Sequence, residues 1–224
     1  MTDQSLLYED EAIIAVNKPT GQAVIPGRGI EDGDVLVRQV EARIGIKTYV
    51  VHRIDRDTSG VVLFAKDAAT HKNLSIQFEK HEVRKQYLAL VFGIVETGGT
   101  IDRPLREFGS GRMGIDPKGK PAQTEFSVRQ KFGAATLLDV MPRTGRRHQI
   151  RAHLYGIGHP VIGDTVYGKE RPVAGAARLM LHARSIAFLH PSGKSMVVTA
   201  EPDALWTEVL RGFGGNAGEI SATL

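Results

Sequence analysis

The sequence predicts an α+β fold with a mostly antiparallel central sheet flanked by helices and loops. Two observations carry this. Strand-length apolar runs outnumber helical patterns. Several neighbouring runs are separated only by short turn-forming segments, as hairpins require. With 224 residues, 42% hydrophobic and 24% charged, the chain can bury one substantial core or two small ones.

Glu11 to Lys18 reads as a short strand that ends at Pro19. Asp34 is placed to cap a helix through about Ile44, with Val35, Leu36, Val40 and Ile44 on one side. Gly60 to Lys66 is a continuous apolar run of strand length, after which Asp67 caps a helix through about Glu79. Gln86 to Val95 reads as a buried strand. Alternation along it turns Tyr87 away from Leu88 and Leu90. Residues 124–132 and 135–141 form a strand pair, and 148–156 a helix after a Gly-containing turn. Residues 184–189 and 194–199 form a hairpin around His190-Pro191-Ser192-Gly193. Asp203 caps a last helix with Leu205, Trp206, Val209 and Leu210 as its apolar stripe. Two long basic loops are expected at 101–123 and 163–178, one domain over 1–211, and a flexible tail over 212–224.

Composition excludes several function classes. There is no cysteine, so disulfides, cysteine zinc sites, iron–sulfur clusters and thiolate nucleophiles are absent. No window approaches the roughly 18 apolar residues of a membrane span, and the first ten residues lack a secretory pattern. A cytoplasmic protein with no membrane partner is expected. The net charge of +4 hides an asymmetry. Residues 1–51 carry 5 Lys/Arg against 8 Asp/Glu, residues 52–200 carry 23 against 13, and residues 201–224 carry 1 against 4. A basic middle between acidic ends suits either a solvated surface or a polyanion such as nucleic acid.

Some motifs fail on context. Gly109 to Gly114 (GSGRMG) has dinucleotide-loop spacing but opens no helix, because Pro117 follows soon after. Gly114 to Lys120 approximates a phosphate loop, yet Pro121 stands where a hydroxyl is needed. No H-E-x-x-H or G-x-S-x-G occurs, and His148 and His153 are five apart, poor spacing for one helix face.

Two segments hold. His52-Arg53-Ile54-Asp55-Arg56-Asp57-Thr58-Ser59-Gly60 crowds two acids and two arginines into a polar loop before a buried strand. It reads either as a catalytic loop on a rigid strand end or as a turn in which Asp57 satisfies backbone N–H groups. Residues 143–153 put Arg143, Arg146, Arg147 and Arg151 at a turn-to-helix transition, an arrangement that attracts phosphate or carboxylate.

Together these segments resemble the RluA family of pseudouridine synthases, over residues of about 6 to 210. H-R-[LI]-D-x-x-T-S-G is matched at every fixed position, with Ile54 in the variable place. Further matches are Lys18-Pro19 with Gly21, Lys85 with Tyr87, Thr144-Gly145-Arg146 followed by His148-Gln149-Ile150-Arg151, Gly163-Asp164 with Tyr167-Gly168, and Leu181-His182-Ala183. The chain is similar to the short, single-domain form without an S4 RNA-binding domain.

The resemblance implies isomerisation of a uridine within structured RNA, ribosomal or transfer, with no cofactor and no metal, by a protein expected to be a monomer. Asp55 aligns with the essential aspartate, as nucleophile or as base. Arg151 aligns with the arginine that pairs with and orients it. Tyr87 aligns with the tyrosine that stacks on the target base. Arg53 aligns with an arginine that enters RNA where the flipped base left. Ile150 and Leu181 are expected as apolar packing around Asp55. His52, Arg56, Lys85, Arg143, Arg146 and Arg147 complete the residues expected to contact RNA. The rivals are a catalytically inactive RNA-binding protein of the same fold and a metal-dependent nuclease; arginines flank Asp55 and Asp57, which works against a bound cation.

Overall fold

A computed structural model describes residues 5–27, 29–109, 111–168, 178–215 and 218. In chain order the elements are β1 (Leu6–Glu9), β2 (Ile13–Lys18), α1 (Leu36–Ile44), β3 (Tyr49–Val50), β4 (Ser59–Ala65), α2 (Ala68–Glu79), β5 (Arg84–Phe92), β6 (Gly99–Asp102), β7 (Leu105–Glu107), β8 (Met113–Ile115), β9 (Gln123–Phe132), β10 (Ala135–Pro142), α3 (Gln149–Gly156), β11 (Leu181–Leu189), β12 (Ser195–Thr199) and α4 (Ala204–Gly212). The fold is α+β, as the sequence predicts. Two compact units divide it: residues up to 85 with 183–201, and residues 86–182 with those from 202 onward.

In the first unit, β2 pairs antiparallel with β1 and with β4, from Ile13↔Ala65 to Lys18↔Gly60. β11 and β12 form the expected hairpin. All seven residues of β4 are buried, which accounts for its unbroken apolar run: both of its faces are covered. The period of two sorts the side chains. Ile13, Ala15, Val61 and Leu63 join Leu74 of α2 in one cluster. Ile14, Val16, Val62 and Phe64 join Leu36, Val37 and Val40 of α1 in another. Asp67 caps α2 by accepting from Thr70 N at 2.8 Å.

The expected Asp34 cap is not made. Residues Asp32–Asp34 form a 3-10 turn, and α1 starts at Leu36 without a side-chain cap. Its first N–H groups are satisfied elsewhere: Leu36 N donates to Ala23 O at 2.9 Å and Val37 N to Val24 O at 3.1 Å. A passing loop segment does the work of a cap.

In the second unit, β5, β10, β9 and β6 are antiparallel neighbours, with Tyr87↔Val140 and Ala135↔Phe92 in register. The core gathers Leu88, Leu90, Leu137, Ile150, Leu154, Leu181, Trp206 and Leu210. Asp203 caps α4 through Trp206 N at 2.8 Å. Leu205, placed on the apolar stripe by sequence, is instead exposed, since Trp206, Val209 and Leu210 alone complete the buried face.

The expected loop at 101–123 contains a hairpin, β7 with β8. Strands of three residues are too short for alternation to reveal. Of the failed GSGRMG motif, Met113 and Gly114 lie in β8 and Gly111 takes φ +74° in the turn, where Phe108 N donates to Arg112 O at 2.9 Å. The expected loop at 163–178 lies outside the described residues between 169 and 177. Of the expected tail, Gly214 N and Gly215 N close α4 on Arg211 O and Leu210 O, and Phe213 packs against the core; beyond 215 only Gly218 is described. Among the described residues no helix is long and apolar enough to cross a membrane.

Candidate active site

In the first unit the candidate centre is the turn Asp55-Arg56-Asp57-Thr58, closed by Thr58 N donating to Asp55 O at 3.2 Å. The turn is clamped from the end of β2. Lys18 is fully buried. Its Nζ donates to Pro19 O at 2.8 Å, Gln22 O at 2.7 Å and Arg56 O at 2.8 Å. Thr20 Oγ1 donates to Asp57 O at 2.7 Å, and Arg56 Nε to Gly21 O at 2.8 Å. An ammonium surrounded by carbonyl dipoles can stay charged out of water, and here it joins two loops. Gly21 meets the geometry with φ +79°, where a side chain would be strained.

The rest of the H-R-I-D-x-x-T-S-G segment is equally constrained. Thr58 and Ser59 are buried, and Ile54 packs on the α1 side of the sheet. Gly60 has φ +115°, and a Cβ there would stand 2.2 Å from Ala183 O; only glycine allows that approach. Asp55 is half-buried, while Arg53 and Arg56 are exposed.

His52, expected at the RNA surface, is engaged in packing. Its Nε2 accepts from Leu63 N at 2.9 Å, and its ring stacks on Phe78 with centroids 4.9 Å apart. Burial, with the nearby Lys85 cation, pushes its pKa down to about 3, so the ring is neutral. Lys85 is half-buried, and desolvation draws its ammonium down to about 8.

In the second unit Tyr87 lies half-buried on β5, between buried Gln86 and Leu88. Gln86 Nε2 donates to Asp139 Oδ1 at 2.9 Å, and Asp139 is held by Arg129 through two bonds of 2.8 Å. Ile150 and Leu181 both sit in this unit's core.

The arginine-rich turn before α3 is built by the helix's first residue. Gln149 Oε1 accepts from Thr144 Oγ1 at 2.6 Å and Arg146 N at 3.0 Å. Its Nε2 donates to Gln123 O at 2.8 Å and Thr124 Oγ1 at 3.0 Å. His148, at the N-cap, takes the left-handed φ of 51°. One turn on, His153 is fully buried between Thr124 Oγ1 and Arg103 O, each at 2.9 Å. Burial lowers its pKa, overriding the Arg103 carbonyl that favours the proton. Three arginines expected at phosphates already have partners. Arg143 is bidentate to Glu125 at 2.8 and 2.7 Å, Arg147 meets Glu107 at 2.6 Å, and Arg146 Nε donates to Pro121 O at 3.0 Å.

Arg151 is buried. Its Nε donates to Asp164 Oδ2 at 2.7 Å and its Nη2 to Asp164 Oδ1 at 2.9 Å. Burial alone would raise the Asp164 pKa, but Arg151 and the N–H groups of Tyr167 and Val166 outweigh it and hold the carboxyl below its usual range. Sequence reasoning matched Asp164 within a motif and gave it no role. The only signal available was its place between Gly163 and Tyr167-Gly168. Lys18 and Gln149 were likewise matched, and their functions as clamps are visible only in three dimensions.

Comparisons with known proteins agree on one family. Residues 12–155 match the family model described as RNA pseudouridylate synthase. The chain is 36% identical over 218 residues to the ribosomal large subunit pseudouridine synthase C of Buchnera aphidicola subsp. Baizongia pistaciae, covering 92% of this chain and 69% of that one. It is 38% identical over 232 residues to the tRNA pseudouridine synthase C of Yersinia pestis, covering 93% and 90%. Among solved structures, human RNA pseudouridylate synthase domain containing 4 shares the fold with a TM-score of 0.78 at 23% identity, covering 94% of this chain and 93% of that one. Human RNA pseudouridylate synthase domain containing 1 gives 0.73 at 28% identity, covering 89% and 83%.

Proposed function

The chain belongs to the RNA pseudouridylate synthase family, and from that premise we propose how its residues carry the reaction. The protein is an isomerase that converts uridine to pseudouridine within RNA. The bond from ribose C1′ to uracil N1 is broken, the base turns, and a bond from C1′ to C5 is made. The C5 proton is lost, and N1 ends protonated, so atoms balance without a co-reactant.

Asp55 is the reacting carboxylate, working as nucleophile or as base. The observation that carries this reading is the clamp on its turn. Lys18 and Thr20 fix the carbonyls of the two residues that follow Asp55, and the turn runs straight into fully buried β4. A carboxylate held on so rigid a base is preorganised for chemistry. Arg151 supplies a fixed positive charge to the reaction, and Tyr87 offers an aromatic face to the target base. Arg53, exposed on the same loop, fills the place of the flipped nucleotide at a cost of a few kcal/mol for unstacking. Lys85 and Arg56, with the arginines of the turn before α3, meet the RNA backbone. The substrate is structured ribosomal or transfer RNA, the classes named for the relatives, and the enzyme works as a cytoplasmic monomer.

Asp55→Asn tests the assignment. Pseudouridine formation on large-subunit ribosomal and transfer RNA transcripts is expected to vanish, with RNA binding within about twofold of wild type. Normal turnover would remove Asp55 from the mechanism.

A further inference from the structure

Two arginines of the turn before α3 are closed by glutamates from elsewhere in the second unit. Glu125 of β9 takes both hydrogen bonds of Arg143, at 2.8 and 2.7 Å, and Glu107 at the end of β7 meets Arg147 at 2.6 Å. Among the described residues, these two side chains accept from nothing else. Asp116 is different: one oxygen meets Arg106 at 3.0 Å, but the other accepts from Lys118 N at 2.7 Å and shapes a turn.

Neither pair is needed for the fold. The side chains are open to water, 51% and 31% exposed for Arg143 and Glu125, 45% and 55% for Arg147 and Glu107. Ion pairs that open add little stability. The turn itself is held by Gln149, through Thr144 Oγ1 and Arg146 N, and by Arg146 Nε on Pro121 O.

What the pairs alter is the electric field. An unpaired guanidinium attracts a polyanion across about a Debye length, roughly 10 Å at 0.1 M salt. Closed by a carboxylate, it acts as a dipole, and its pull fades over a shorter distance. Phosphate presents the same pair of oxygens to the guanidinium fork as carboxylate does. A phosphate seated in the plane of the fork replaces the glutamate, which is free to turn into solvent. A phosphate seated elsewhere meets the glutamate as a like charge, a penalty specific to wrong partners.

We propose that Glu107 and Glu125 are specificity-determining residues: they hold Arg147 and Arg143 closed to misplaced nucleic acid and yield them to RNA whose phosphates fit the two forks. The inference rests on the reading above in which these arginines meet the RNA backbone. It gives neither glutamate a step in the isomerisation.

The test compares three forms of the full chain: wild type, Glu107→Gln with Glu125→Gln, and Arg143→Gln with Arg147→Gln. One probe is a random-sequence RNA duplex. The other is whichever large-subunit ribosomal or transfer RNA transcript the wild type converts, scored by tritium release from uracil C5. Kd is measured from about 50 to about 300 mM salt. Removing both carboxylates is expected to tighten duplex binding about tenfold near 0.1 M salt, and to steepen the slope of log Kd against log salt by about 1 to 2. On the converted transcript kcat should hold, and KM should fall by about threefold at most. Excess duplex should then slow the glutamine variant more than the wild type.

Unchanged duplex affinity and slope would overturn the proposal. So would equal tightening on both RNAs, since the carboxylates would then weaken binding without discriminating. The single substitutions decide if the double variant fails to unfold cooperatively in urea. The arginine variant separates this inference from the reading beneath it. Weaker binding there, beside a glutamine variant that behaves as wild type, refutes the inference alone. Wild-type affinity in the arginine variant refutes the contact of these arginines with RNA, and the inference with it.

Discussion

The buried ammonium of Lys18 donates to the carbonyl of Arg56 at 2.8 Å, tying the end of β2 to the residue that follows Asp55. Removing that ammonium strands three carbonyls. Lys18→Met should cost about 3 kcal/mol in urea unfolding, the scale of uncovering buried polar groups. It should also lower kcat more than it raises KM, since the turn loses its clamp. Unchanged stability and turnover would show that the three contacts are incidental.

Gly60 marks the next constraint. With φ +115° and Ala183 O at 2.2 Å from a would-be Cβ, Gly60→Ala should destabilise by about 3 kcal/mol or more, combining backbone strain with a steric clash. Gly133, with nothing within 4 Å of its added Cβ and no positive φ, is the control. Gly133→Ala should shift stability by about 1 kcal/mol at most. Equal effects at the two sites would contradict the packing described for β4.

His52 and His153 make stability depend on pH. Both have lowered folded pKa values, His52 near 3, while an unfolded histidine titrates near ~6.5. Below that value the unfolded chain binds protons the folded chain refuses. Stability therefore falls as pH drops from about 6.5, by up to about 1.4 kcal/mol per pH unit for each histidine. Between about pH 4.5 and 6.5 the carboxylates whose pKa values are lowered (Asp10, Glu41, Asp67, Glu125 and Asp164) contribute little, because they act further down. His52→Gln should flatten the slope in urea midpoints across that window. An unaltered slope would mean that His52 is not held neutral.

Lys85 sits near 8 because of burial, so its charge is lost as pH rises past that value. RNA affinity should weaken between pH 7 and 9 at constant salt, and Lys85→Met should remove most of that dependence while weakening binding at pH 7. A pH dependence unchanged by the substitution would place Lys85 away from the RNA.

The α+β class was legible because alternation and apolar runs directly record burial: β2, β4, β9 and β10 fall where the pattern puts them. Caps at Asp67 and Asp203 were legible for the same local reason. The start of α1 was not, since Ala23 and Val24, over ten residues earlier in sequence, supply its acceptors. The short hairpin β7–β8 carries too few residues to show a period. Individual residues divide the same way. Asp55 stands in a contiguous motif whose Gly60 is required by the close approach of Ala183 O and whose Thr58 and Ser59 are buried. Asp164, Gln149 and Lys18 act through partners 13, 26 and 38 positions away; a linear reading has no means of joining these. His52 illustrates the converse: an exposed role suits its place in a polar loop, but the ring is drawn inward by the backbone of β4 and the face of Phe78.

This chain is expected to make pseudouridine in RNA through Asp55. The most direct measurement maps pseudouridines across ribosomal and transfer RNA in cells lacking the protein, and in the same cells given back either wild type or Asp55→Asn. One or a few sites should disappear in the null strain, return with wild type and stay absent with Asp55→Asn. An unchanged map in the null strain, or full restoration by Asp55→Asn, would contradict it.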